Sequence, residues 1–417
     1  MKLQKTLPLL SLGFAPVAAH ADFIDGSHAG LTLRNFYYNH DLRDTKAPAQ
    51  SKIEEWAQGF IFKAQSGYTD TPIGVGVDVY AGMGLKLDSS PSRSGSELLP
   101  GFTHRLGSGR DSDPRSADQW SEGTAALKFK YSKTELKAGG LFPKNPLVYA
   151  GDSRLLPQTF EGMMLDSQEI EHFTFSLGQM RQTSYRAASH SGDMQVGNYL
   201  KVDSDRFNYL GGTWAPVPSF SLGLWGGTLE GVYTQKLLTT TKWIDLAGWR
   251  FSGTLNYTDS GQQGAAMAGK LDSRLASTLA SATYGMQKFT LGYQYNAGTS
   301  AQPYLQETDL PAVGNAIQVL HFDRAQERSW QARYDLDFAG VGVPGLTAFA
   351  RYVQGGNFQY AGQDGKEWER NIDVSYVIQS GPLRGASVRW RNVELQGNAT
   401  GRRDENRLIV AYTLALK

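Results

Sequence analysis

Apolar and polar residues alternate along most of this chain. Between Ser329 and Phe338 the even positions are apolar or aromatic, and the odd positions carry Ser, Gln, Arg or Asp. Every second residue from Leu408 to Leu416 is likewise apolar or aromatic. Because successive side chains of a β-strand point to opposite faces, such segments predict strands with one apolar face. A soluble β-sandwich shows the same alternation, so this pattern alone leaves the architecture open.

The connections between predicted strands alternate between short turns and long loops. Short turns are predicted at 67–72, 132–133, 167–169, 215–219, 230–232, 245–247, 286–287, 340–345 and 380–384. Longer loops are predicted at 88–118, 143–158, 185–201, 259–275, 297–328, 355–366 and 396–403. Together with the connection at 40–53 between the first two predicted strands, this division gives about eighteen strands, the even number that a bacterial outer-membrane barrel requires. Short turns on the periplasmic rim and long loops outside are the layout of such barrels.

Tryptophans near the predicted strand ends also favour a membrane barrel. They are Trp56, Trp120, Trp214, Trp243, Trp249, Trp330 and Trp368. Aromatic residues of this kind form girdles at the two membrane interfaces, although Trp also fills ordinary protein cores. The prediction is therefore an all-β, transmembrane antiparallel barrel of about eighteen strands.

The first residues resemble a cleavable secretory signal. Lys2 and Lys5 precede an apolar stretch from Leu7 to Val17, and Ala19-His20-Ala21 supplies small residues for cleavage after Ala21. No later segment approaches the roughly 20 apolar residues of a membrane helix. We therefore expect a signal peptide at 1–21 and an outer-membrane β-barrel channel at 22–417.

Composition removes several classes of function. The 417 residues include no Cys, which excludes thiolate catalysis and Cys-ligated zinc. Net charge is +1, and losing Lys2 and Lys5 with the signal makes it −1. A near-neutral chain offers no electrostatic basis for binding nucleic acid. Local clusters of charge therefore matter more than the total.

Two pairs of basic residues have the spacing of two that places them on one face of a strand, Lys128 with Lys130 and Arg389 with Arg391. Arg333 and Arg351 each lie between apolar neighbours in a predicted strand. They are expected to face the lumen, because Lys or Arg facing lipid at the midplane costs roughly 2–4 kcal/mol. A row of cations along a pore attracts anions. Alternatively, acidic residues of the same inward parity, among them Glu135, Asp335, Asp337 and Asp373, merely neutralise them.

Catalytic motifs are weak, and we predict that the protein is not an enzyme and needs no cofactor or metal. Neither HExxH nor GxSxG occurs. Gly264–Lys270 matches part of a phosphate loop, but Leu271 replaces the required Ser or Thr. The rival hypotheses are a rim hydrolase, for which His172 near Glu171 and Ser167 is the only candidate, and a structural barrel with a plugged lumen.

Several stretches, in order, resemble the OprD-type substrate-specific outer-membrane porins, also called carboxylate channels. They are 25–38, 132–137, 152–162, 329–335, 344–353 and 407–410. The most specific is Asp152–Gly162, DSRLLPQTFEG. One departure concerns the C-terminus, which reads Leu416-Lys417 where barrels of this kind usually end in an aromatic residue.

The resemblance implies a monomeric or weakly associating eighteen-stranded barrel with a narrow waist, in contact with outer-membrane lipid and lipopolysaccharide. It implies passive uptake of small carboxylate solutes along a basic ladder. The matching ladder positions are Lys128, Lys130, Lys137, Arg333, Arg351, Arg389 and Arg391. The waist loop at 143–158 would place Asp152 and Arg154 near the constriction, and the loop at 297–328 would offer Asp309 to a cationic group. Of the two family branches, aromatic or cyclic carboxylates such as benzoate fit better than basic amino acids.

Overall fold

The computed structural model describes residues 21–45, 49–101, 115–198 and 202–417. The predicted signal peptide lies outside the described residues except at Ala21, so its cleavage and the resulting division of the chain stay predictions. Within these ranges, helical structure is limited to a short α-helix, Ala21–Asp25, and a 3-10 helix, Phe338–Val341. Among the described residues, no helix has the length and hydropathy that a membrane crossing demands.

Eighteen antiparallel strands form the body of the protein. They are β1 His28–Leu42, β2 Lys52–Gln65, β3 Gly74–Asp88, β4 Gln119–Tyr131, β5 Thr134–Leu141, β6 Thr159–Ser167, β7 Phe173–Ser184, β8 Phe207–Val217, β9 Phe220–Leu229, β10 Tyr233–Leu246, β11 Trp249–Gln262, β12 Asp272–Tyr284, β13 Gln287–Asn296, β14 Arg328–Asp337, β15 Leu346–Tyr360, β16 Gln363–Val377, β17 Ser387–Gly397 and β18 Gly401–Ala415. Four shorter strands lie in loops, at Ser191–Gly192, Met194–Gly197, Asp203–Ser204 and Tyr304–Leu305.

Each strand pairs with its neighbours in the sequence, and β1 also pairs with β18. Gly30 lies opposite Ala415 at one end of this seam, and Leu42 lies opposite Arg403 at the other. The sheet is therefore closed, which leaves no strand edge with unpaired backbone groups facing lipid. The predicted barrel and its strand number are confirmed.

Two predicted long loops are wrong. Strands β15 and β16 extend to a two-residue turn, Ala361-Gly362, where a loop was expected at 355–366. Both turn residues have positive φ, 50° and 77°, as the tight hairpin turn that matches strand twist requires. The connection expected at 396–403 shrinks to 398–400. Strands that rise above the membrane need no apolar face, so their polar sequence resembled a loop.

Burial separates the two faces of the wall. Trp56, Trp214 and Trp330 lie on the outer face and are each more than 40% exposed, as an interfacial girdle predicts. Trp120 is different, because it lies on the inner face, is only 6% exposed and packs closely against Gly84. The expectation that Trp120 belongs to the girdle is therefore wrong.

The loop between β5 and β6, 142–158, folds into the barrel. A Cβ added to Gly59 on the inner face of β2 would lie 3.0 Å from Leu155 Cγ. A Cβ at Gly82 on β3 would lie equally close to Leu156 Cδ1. Both leucines are completely buried. Glycine at these inward positions therefore lets the loop pack directly on the wall.

Candidate functional site in the barrel lumen

The loop between β13 and β14, 297–327, crosses the lumen. At one end, the Gly314 amide donates to Ser277 Oγ on β12 at 2.7 Å. Further on, Gln318 Nε2 donates to Glu405 Oε1 on β18 at 2.6 Å. The Leu320 amide donates to Glu369 Oε2 on β16 at 2.7 Å. Because β12 and β18 lie far apart around the barrel, this loop spans the opening.

The two inward loops also bind each other. Gln158 Nε2 in loop 142–158 donates to the Gln306 carbonyl at 2.9 Å. The Asp309 amide donates to the Tyr149 carbonyl at 3.0 Å. These hydrogen bonds join the two segments that the sequence assigned to the waist. The structure thus brings Arg154, Asp152 and Asp309 into the same region of the lumen.

A buried ionic cluster joins several of the loops that fold into the lumen. Arg186, between β7 and β8, contacts Glu307 at 3.0 Å and Glu97 at 3.3 Å. Arg154 contacts Glu97 at 3.4 Å, and its Nε donates to the Ser96 carbonyl at 2.8 Å. Burial alone would lower the pKa of Arg186, but Glu307 and Glu97 raise it above its ordinary value. Burial, with Arg407 nearby, lowers the pKa of Arg154 to about 10.

Several predicted ladder residues share carboxylates. Arg389 Nε donates to both Asp373 oxygens at 3.0 Å, and Arg391 Nε lies 2.9 Å from the same carboxylate. Two cations on one anion leave a net charge of +1 at this point of the wall. On the adjoining strand, β18, Arg407 contacts Glu405 at 2.6 Å; sequence reasoning did not single out this arginine.

Arg333 and Arg351 differ in their partners although they lie directly opposite each other. Arg333 makes a two-pronged contact with Asp335, and its guanidinium lies 3.9 Å from the centre of the Phe349 ring. Arg351 Nε donates to the neutral Asn371 Oδ1 at 2.9 Å. Among the described residues, no carboxylate lies within salt-bridge distance of Arg351. Arg351 therefore adds a positive charge to the β14–β18 wall, which the carboxylates of Glu369, Asp335 and Asp373 offset only at longer range than a salt bridge.

The lysines of the ladder lie on the other side of the seam. Lys128 and Lys137 both contact Asp78, at 2.7 and 2.9 Å, and Lys137 also contacts Glu135 at 3.2 Å. Lys130 is exposed and lies over the Tyr68 ring. The expected pairing of inward charges is confirmed for Glu135, Asp335 and Asp373. Whether the ladder confers selectivity stays a prediction.

A cavity of about 690 Å³ lies beside loop 142–158. Its lining includes Asp152 and Asp309, and Asp152 contacts Arg34 at 2.7 Å. Lys63, which sequence reasoning missed, also lines it, with Nζ 4.2 Å from the centre of the Phe142 ring. The signal was present, because Lys63 follows the outward Phe62 in β2 and so has inward parity.

The rival hydrolase site is not assembled. His172 contacts Glu171 at 3.4 Å in the exposed turn between β6 and β7. Ser167 Oγ instead hydrogen-bonds with Thr134 at 2.9 Å. A general base must reach the nucleophile that it activates, and this geometry directs the two groups elsewhere. Within the described ranges, no three His, Asp or Glu side chains are grouped to hold a metal ion.

Loop 297–327 should loosen in alkaline solution. Burial raises the pKa of Asp323 to about 7, and burial together with Glu367 raises the pKa of Glu327. A carboxyl whose pKa is raised in the docked loop stabilises docking while it is protonated, so its full contribution is present at acidic pH. The free energy of docking weakens by about 1.4 kcal/mol per pH unit for each group, as the pH rises from the ordinary pKa of that group to the raised one. Single-channel recordings from pH 5 to 9 should show more current fluctuation above about pH 7. Fluctuation that is equally pH-dependent in Asp323→Asn/Glu327→Gln would contradict this assignment.

Known proteins match this chain over almost its whole length. Residues 21–416 match the model of the outer membrane porin, OprD family. Porin-like protein GalP of Pseudomonas putida is 37% identical over 96% of this chain and 95% of its own. The crystal structure of Pseudomonas aeruginosa OccK9 (OpdG) is 44% identical with a TM-score of 0.90, covering 94% of this chain and 100% of that one. Pseudomonas aeruginosa OpdK, solved with vanillate, is 36% identical with a TM-score of 0.88 at the same coverage.

Proposed function

Since the chain belongs to the OprD family of outer-membrane porins, we propose that its lumen passes small carboxylate solutes, preferably aromatic or cyclic ones. The protein is a channel of the outer membrane. Uptake is passive, because a solute that moves down its gradient needs only a path and transient binding sites. The ladder Lys128, Lys130, Lys137, Arg333, Arg351, Arg389 and Arg391, with Arg154 at the waist, supplies those sites.

One observation carries the preference for aromatic carboxylates: the cavity places a cation beside aromatic rings. Lys63 Nζ lies 4.2 Å from the centre of the Phe142 ring and 5.9 Å from that of Tyr80. Among the described residues, no carboxylate lies within 4 Å of Lys63. A benzoate-like solute could therefore give its carboxylate to Lys63 and its ring to Phe142. The vanillate named with OpdK is an aromatic carboxylate, which supports this proposal.

A second candidate is a basic amino acid, and the acidic groups of the same cavity favour it. Asp309 and Asp152 both line the space that Lys63 enters. Asp152 is already held by Arg34, which leaves Asp309 and Asp166, another carboxylate of the lining, as contacts for a cationic group. We rank this candidate second because it explains these carboxylates but not the cation–aromatic pair of Lys63 and Phe142.

The partners that we propose follow from the channel and its membrane. They are small carboxylate solutes inside the lumen, and outer-membrane lipid, including lipopolysaccharide, around the wall. The barrel is proposed to act as a monomer or to associate weakly, since the lumen is complete within one chain.

Replacing Lys63 with Met should weaken benzoate block of the channel roughly tenfold, because a charge-assisted hydrogen bond contributes about 1.5 kcal/mol. Benzoate titration of single-channel current measures the effect. Lys63→Arg should retain block, since it keeps the cation. Lys288→Met is the matched control, because Lys288 has inward parity on β13 but lies outside the cavity. Equal loss in Lys63→Met and Lys288→Met would count against a site at Lys63.

A further inference from the structure

The outer wall carries a row of basic side chains between β10 and β14. Lys236 on β10, Arg274 on β12 and Arg328 on β14 all have outward parity, and all three are exposed. Each lies within the first four residues after its strand leaves the rim of the long loops. Neighbouring strands are about 4.8 Å apart, so the cations follow one another at roughly 10 Å. We name these three residues the outer basic row.

Aromatic side chains lie directly below this row on the same face. Tyr257, Tyr293 and Trp330 are each more than 40% exposed. The Arg328 guanidinium lies 4.9 Å from the centre of the Tyr295 ring. Outward aromatic residues mark the interface between hydrocarbon and head groups. The outer basic row therefore lies at the level of the outer-leaflet head groups.

The charges of the row are largely available to a ligand. Among the described residues, no carboxylate lies within 4 Å of Lys236 or Arg328, whereas Arg274 contacts Asp272 at 3.3 Å. Asp259 lies between Lys236 and Arg274 in the register. Three cations and these two carboxylates leave a net charge of +1.

The opposite part of the outer wall provides a contrast. There, Arg402 contacts Glu394 at 3.3 Å, and the Arg43 guanidinium contacts Asp404 on the adjacent strand. These two cations are compensated by nearby carboxylates. Among the described residues, Lys236 and Arg328 have no such partner.

We propose that the outer basic row binds the phosphate groups of lipopolysaccharide. A phosphate at head-group level meets exposed ammonium and guanidinium groups there, while acyl chains pack on the apolar wall below. Guanidinium groups bind phosphate with two parallel hydrogen bonds, and each cation near a charged lipid surface strengthens binding about fivefold. The proposal locates the lipid partner named above and rests on the outer-membrane location, not on the identity of the transported solute.

The test titrates detergent-purified protein with fluorescent lipopolysaccharide and with the same lipopolysaccharide after phosphatase treatment. Lys236→Ala/Arg274→Ala/Arg328→Ala should bind the intact lipid roughly 100-fold more weakly. Treated lipid should bind the original chain and this variant equally weakly. A control variant removes the same charge from the periplasmic half of the barrel, with the substitutions Lys133→Ala/Lys242→Ala/Arg384→Ala. Its affinity for the intact lipid should stay within about twofold of that of the original chain. Lys242 is the sharpest comparison, because it shares the strand and face of Lys236.

Three results would overturn the proposal. They are unchanged binding by the first triple variant, tight binding of the phosphatase-treated lipid, or cross-links from Lys236 to a second barrel, which would make the row a protein interface. Heat-modifiable gel mobility checks that each barrel is folded. If the triple variant fails to fold, the single variants Lys236→Ala and Arg328→Ala should each bind the intact lipid about fivefold more weakly. Channel conductance and benzoate block should not change, which separates this test from that of the pore.

Discussion

Arg186→Ala should widen the pore and abolish its discrimination between solutes while the barrel stays intact. Removing this guanidinium takes the ion-pair partner away from the buried Glu307 carboxylate, whereas Glu97 keeps its contact with Arg154. Breaking a buried ion pair from one side costs about 3–5 kcal/mol, because a charge remains buried without compensation. This free energy is lost from the contact between the loops, whereas the backbone hydrogen bonds between the strands stay unchanged. Loop 297–327 should therefore leave the lumen for part of the time.

Single-channel conductance in planar bilayers measures this effect, and benzoate block reports the lost discrimination. The matched control is Arg206→Ala, which removes an arginine from the same β7–β8 connection. Arg206 contacts Glu230 at 3.2 Å, but both side chains are more than a third exposed, so the pair contributes only about 0–1 kcal/mol. If Arg186→Ala and Arg206→Ala conduct alike, the buried cluster does not hold the constriction.

Ion selectivity should move in opposite directions when the Asp373 cluster gains or loses a charge. Arg391→Gln leaves Arg389 paired with Asp373 and lowers the local charge from +1 to zero. Asp373→Asn frees both arginines and raises it to +2. One charge in a water-filled lumen changes the energy of a nearby ion by about 1 kcal/mol, which is roughly fivefold in relative permeability. Anion preference should fall in the first variant and rise in the second.

Reversal potentials across a salt gradient measure both changes on the same scale. Opposite shifts cannot come from general damage to the barrel, so each variant serves as the control for the other. If both variants shift the reversal potential in the same direction, or neither does, the arginines only balance charge.

Much of the fold was predictable because the alternation of residues in β-strands has a strict physical cause. Inside the membrane, outward side chains must be apolar, and this requirement made segments such as 119–131 recognisable to the residue. Above the membrane the requirement ends. The upper parts of β15 and β16 are rich in glycine and polar residues without regular alternation, and they were mistaken for a loop for that reason.

The lumen was predictable only where partners lie on adjacent strands. Parity placed Asp335 and Asp373 on the inner face, and both bind arginines of the ladder. The brace around Arg186 was not predictable, because Glu97 and Glu307 come from loops remote in sequence and no periodicity links them. Lys63 was missed although its parity was visible, since nothing local shows that Phe142 folds back against it.

The most direct test of a carboxylate-selective channel is the reversal potential of the unmodified protein in a salt gradient, repeated with added benzoate and then with added arginine. A small conductance, an anion-selective potential and stronger block by benzoate than by arginine are the predicted result. A large conductance that neither solute reduces would contradict it and would make the basic ladder a device for charge balance alone.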